Sequence, residues 1–127
     1  MPYDNPLTVT YNLGTIDFGA GDEALAIRAP AGYDYGRIVH VGVAVKETFT
    51  NTTTAAYVRI GTATDADAYV ELNMGTAADT NYYSERDDTD AIIDPEVDDT
   101  QLEVALIAPT GGTPAGIGDV HIVINWS

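Results

Sequence analysis

The chain has 127 residues, 45% of them hydrophobic, and no cysteine. Disulfides, thiolate catalysis and cysteine-type zinc sites are thereby excluded, and a single domain burying about two-thirds of its unfolded surface is expected. Twenty acidic residues stand against five basic ones, a net charge of −15, which argues against direct binding to nucleic acid or to an anionic membrane, since both require basic surface.

An acidic surface with a single lysine, Lys46, suits saline surroundings, where salt screens self-repulsion, and also suits many copies held close together. No apolar run reaches the about 20 residues of a membrane-spanning helix. Met1 to Asn12 lacks the basic and apolar regions of a signal peptide, so no export is expected.

In chain order, Met1-Pro-Tyr-Asp-Asn-Pro6 carries two prolines in six residues and reads as an extended arm. Residues 7–127 read as one domain. Leu7, Val9, Tyr11 and Leu13 alternate on one face of a first strand. Ala24 to Ala29 is a short strand with Leu25 and Ile27 inward. Ala29 to Gly36 is a loop punctuated by proline and glycine. Arg37 to Lys46 is the strongest strand, with Val39, Val41, Val43 and Val45 expected in the core. Its other face, Ile38, His40, Gly42 and Ala44, is also apolar enough to be covered by something. Further strands are expected at Ala56–Thr62, with Val58 and Ile60 inward, and at Tyr69–Asn73, with Val70 and Leu72 inward.

Gly75 to Asp99 is irregular and acidic, with Ile92 and Ile93 anchoring one short strand. Leu102, Val104 and Leu106 alternate next. A Pro/Gly/Thr turn follows, and Val120, Ile122, Ile124 and Trp126 share one face of the last strand. About eight short strands with no helical period predict an all-β antiparallel sandwich, jelly-roll-like, with an immunoglobulin-like order as the competitor.

No catalytic set, cofactor motif or metal motif is expected. His40 and His121 sit in mid-strand on the face opposite the apolar set, and a metal or nucleophilic role would need further partners. With Ile38 they are candidates for a subunit interface. Asp65-Ala-Asp67 and Asp87-Asp-Thr-Asp90 place oxygens on loops but lack the glycine and glutamate of an EF-hand. Asn51-Thr-Thr53 and Asn125-Trp-Ser127 fit the glycosylation sequon, which chance accounts for. Among the eight tyrosines, Tyr33 and Tyr35 share one loop and Tyr82 and Tyr83 another. Such pairs can stack on sugars or anchor protein interfaces, so a carbohydrate-binding module is the alternative reading.

Tyr57-Val-Arg-Ile-Gly-Thr-Ala-Thr-Asp-Ala-Asp-Ala-Tyr69 is a strand ending in Gly-Thr-Ala, an Asp-rich turn and a new strand opening on tyrosine. From Gly111 to Ile124, a Gly/Thr-rich turn feeds Asp119-Val120 and a final apolar strand. Together these resemble the small jelly-roll decoration (cement) proteins of tailed-virus heads. The resemblance implies a non-enzymatic virion protein, made in the host cytoplasm, that binds the capsid exterior. It further implies bridging of major capsid protein subunits and a homotrimer. The arm Met1, Pro2, Tyr3, Asp4, Asn5 and Pro6 would then reach to the shell or to a neighbour.

Overall fold

The computed structural model describes residues 7–75, 77, 81–88, 96–97 and 101–127. The arm Met1–Pro6 and the short strand expected at Ile92 and Ile93 lie outside the described residues. The strands are β1 (Leu7–Asp17), β2 (Glu23–Arg28), β3 (Gly36–Thr50), β4 (Tyr57–Gly61), β5 (Val70–Asn73), β6 (Tyr82–Ser84), β7 (Glu96–Val97), β8 (Gln101–Ile107) and β9 (Ala115–Trp126). One 3-10 turn, Phe18–Ala20, links β1 to β2, with the Asp17 carboxylate accepting the Gly19 N–H.

The larger sheet runs β1-β9-β3-β6, with β7 also on β3, and the smaller runs β2-β8-β4-β5. Every pairing is antiparallel. Four of them are nested: β1 with β9, β2 with β8, β3 with β6, and β4 with β5. This is a long hairpin rolled up around the β4–β5 turn, the jelly-roll order. It settles the choice against an immunoglobulin-like order.

The side-chain period of two explains why the rolled hairpin closes. On β9, Val120, Ile122, Ile124 and Trp126 all face inward and are buried. Val58 and Ile60 of β4, Val70 and Leu72 of β5, and Leu102, Val104 and Leu106 of β8 meet them from the other sheet. Phe18 and Phe49, which the alternation does not single out, are buried and meet edge to face at 5.1 Å. Such a pair adds roughly 0.5–1.5 kcal/mol beyond the area it buries.

One inward assignment is corrected. Ile38 pairs with Ile124 and His40 with Val123, so Val39 is an extra residue in β3, a β-bulge. The bulge moves the strand's phase. Ile38 points into the core at 2% exposure while Val39 points out at 45%, and Val41, Val43 and Val45 are buried as expected. Ile38 therefore does not share an outer face with His40 and is not placed to form a subunit interface.

The bulge is testable by a hydroxyl scan in urea. Val41→Thr is expected to cost about 1–3 kcal/mol, because it buries an unpaired hydroxyl. Val39→Thr is expected to stay within about 0.5 kcal/mol of the parent, as an exposed change does. Equal costs would show that β3 keeps one phase throughout.

Candidate functional site

The outer face of the larger sheet gathers the residues with chemistry. Gly42 on β3 pairs with His121 on β9, and His40 lies two residues before Gly42 on the same face. Ala44 pairs with Tyr82 on β6, which brings the tyrosine alongside. A Cβ at Gly42 would collide with the Tyr82 hydroxyl and ring, so the missing side chain is what lets the ring lie across the strand. The Tyr82 ring stacks with His40 at 5.7 Å between centroids and with His121 at 6.1 Å.

A hydrogen-bonded chain runs through this cluster. Glu85 follows β6, and its backbone N–H donates to the Val41 carbonyl at 3.2 Å. The Val41 N–H in turn donates to Glu85 Oε2 at 3.3 Å. Glu85 Oε1 lies 2.9 Å from His40 Nδ1, and His40 Nε2 lies 2.6 Å from the Tyr82 hydroxyl. A carboxylate can only accept, so Nδ1 carries the proton. In the neutral ring Nε2 then accepts from the Tyr82 O–H. The order carboxylate, imidazole, hydroxyl matches that of a nucleophile relay.

The electrostatics oppose a nucleophilic role. Partial burial of the hydroxyl end, and then the nearby Glu85 charge, hold the Tyr82 pKa above the ordinary 10.0. The phenol stays protonated, whereas an activated nucleophile needs the opposite shift. The relay instead fixes the orientation of a ring that is 48% exposed. The bulge residue Val39 stands beside His40, so the patch is apolar and aromatic at its centre.

Around it the sheet is polar. Lys46 pairs with Asp119 at 3.3 Å, and Asp119 also accepts from the Thr15 hydroxyl. That Thr15 bond, with Lys46 assisting, lowers the Asp119 pKa. Asn125 lies on the same outer face, opposite Thr8 and Arg37. Its Oδ1 is buried without a hydrogen-bond partner among the described residues.

The other expected sites are dispersed. Tyr33 and Tyr35 precede the start of β3, and Tyr35 exchanges backbone bonds with Ser127. Tyr82 pairs near the middle of the same strand, about 26 Å further along at 3.3 Å per residue. Tyr83 is half-buried and donates its hydroxyl to the Asn73 carbonyl at 2.8 Å. The four tyrosines therefore do not form one platform. Asp87 and Asp88 accept the backbone N–H groups of Ser84 and Asn73, each at 2.9 Å. The Asp67 pKa is lowered from its ordinary value, chiefly because its carboxylate accepts the proton it shares with Asp65 and then with Glu71. Asp90 lies outside the described residues. Among the described residues no group of three or more acids or histidines is arranged to hold a metal ion.

Sequence reading found His40 and His121 but not their convergence on Tyr82. The available signal was Gly42, since a glycine inside an apolar strand marks a close approach.

A raised tyrosine pKa means that the folded state holds the proton more tightly than the unfolded chain. That contribution is complete below the unfolded value near 10 and is lost as pH rises through the higher folded value. Alkaline absorbance titration is expected to show Tyr82 ionising late, with Tyr82→Phe removing one late phenol. A Tyr82→Phe variant that loses a phenol titrating at the ordinary value and keeps every late one would overturn the relay.

Comparison of the chain with protein-family models, with curated proteins and with solved structures finds no match in any of the three.

Proposed function

We propose that this chain is a non-enzymatic virion protein that docks on the outside of a tailed-virus capsid. It would bridge and stabilise subunits of the major capsid protein as a decoration protein. The observation that carries the reading is the outer face of the larger sheet. There an oriented Tyr82, flanked by His40, His121 and Val39, forms an aromatic and apolar centre on a strongly acidic chain. Tyrosine is an efficient interface anchor, with large area and few rotamers to freeze. The Asn125 Oδ1 on the same face, without a hydrogen-bond partner among the described residues, is an acceptor that a docked donor could satisfy.

The jelly-roll order supports the resemblance carried by the Tyr57–Tyr69 and Gly111–Ile124 turns. Many copies on one shell would multiply weak contacts at each site. The sugar-binding alternative draws less support, because Tyr82 stacks on two histidines and Tyr33 and Tyr35 lie before the start of β3, far from Tyr82.

Particles from the source culture, banded on a density gradient, provide the test. The chain is expected to co-band with DNA-filled heads at hundreds of copies per particle, and a chain that stays soluble would end this reading. In a rebinding assay, Val39→Glu is expected to lower occupancy while leaving the thermal melt unchanged. Removal of residues 1–6 is expected to weaken attachment in the same way. Full occupancy by both variants would mean that neither the sheet face nor the arm contacts the shell.

A further inference from the structure

We propose that β2 is a self-association edge: two copies of this chain join β2 to β2, antiparallel, about a twofold axis at Leu25. The two four-stranded sheets then become one continuous sheet. This inference is independent of what the outer face of the larger sheet docks on, and it replaces a threefold ring with a twofold pair.

An edge strand offers a row of unpaired N–H and C=O groups, and proteins guard such edges with bulges, short strands, prolines or charges. The other edges here carry such guards. β5 has four residues, β6 three and β7 two. β1 keeps its register from Leu7 to Asn12 and is then interrupted by an irregularity before Thr15, where Gly14 takes φ +78°. β2 is different. Among the described residues it is hydrogen-bonded on one side only, to β8, and it keeps its register without interruption along its whole length, Glu23 to Arg28. Its middle, Ala24-Leu-Ala-Ile27, has no charge and no proline. Ala24 and Ala26 are exposed, and Leu25 is 36% exposed although it faces the side of the sheet that carries the core.

The choice of a second copy as occupant comes from charge. A chain of net charge −15 repels itself, so a self-pairing register must set a base against an acid. Arg28 pairs with no acid among the described residues. With the axis at Leu25, each Leu25 meets its own copy and Ala24 meets Ala26. Asp22 then meets Arg28 of the second copy at both ends of the strand. Asp22 is anchored where β2 begins, because its Oδ1 accepts the Ala108 N–H just past β8 at 2.7 Å. A slip of one residue would turn every side chain to the wrong face. A slip of two sets Arg28 opposite Ala24, or Asp22 opposite Ala26, and loses both ion pairs. The sequence of this edge is thus complementary to itself in one register.

The chain has no native cysteine, so engineered thiols can read that register directly. Residues directly opposite in an antiparallel pair have Cα atoms about 4.5–5.5 Å apart, within disulfide reach. Leu25→Cys is therefore expected to oxidise to a covalent dimer that runs at twice the 13.5 kDa chain mass on a non-reducing gel. Ala26→Cys, offset from its own copy by two residues, is expected to stay monomeric on the same gel. Sedimentation equilibrium of the parent chain is expected to show a monomer–dimer equilibrium. Arg28→Glu alone, and Asp22→Lys alone, are each expected to raise Kd by about tenfold, and a mixture of the two to restore dimer. A parent that sediments as a monomer or a trimer would overturn the proposal. So would cross-linking through Ala26→Cys but not Leu25→Cys, or single variants that dimerise as well as the parent.

Discussion

The structure depends on the insertion of β9 between β1 and β3. This one strand supplies the middle of the larger sheet, and its inward set, Val120, Ile122, Ile124 and Trp126, is buried throughout. The Trp126 indole N–H also donates to the Tyr11 hydroxyl on β1 at 2.8 Å, tying the last strand to the first. Glycines make close packing along β9 possible. A Cβ at Gly118 would strike Val43, and one at Gly116 would strike the Phe49 ring. The inward row of the strand therefore begins with two bare-backbone positions on which its neighbours press and continues with four large side chains.

Much of this was legible in the sequence. The alternation on β8 and β9 identifies their inward faces residue by residue, because the period of two holds without interruption. It fails at Val39 for a definite reason. Ile38 and Val39 are both β-branched and apolar, so nothing in composition says where the strand changes phase. Only the pairing of Ile38 with Ile124 and His40 with Val123 reveals the extra residue. Phe18 and Phe49 were equally silent, since each is an isolated aromatic at the end of a strand and finds its partner only through the roll. The site was half legible. Two histidines in mid-strand are visible in one dimension, but their meeting at Tyr82 depends on β6 pairing with β3 across a long connection.

The Glu85–His40–Tyr82 chain shows how similar connectivity can serve different ends. A carboxylate that orients an imidazole, which in turn holds a hydroxyl, can activate that hydroxyl when the site stabilises the anion. Here burial and the Glu85 charge stabilise the neutral phenol instead. The network spends its order on fixing a ring in position. A pre-oriented aromatic loses little freedom when something covers it, and rigid anchors of this kind favour recognition.

The central place of β9 also bears on how the chain is made. Ribosomal synthesis delivers β1 and β3 long before the strand that must lie between them. Until β9 emerges, both present open edges and uncovered apolar faces, and a jelly roll dominated by distant pairings is slow to close. In the folded sheet β1 and β3 flank a slot that β9 fills, so the facing edges of both strands go unpaired until residues 115–126 have been made.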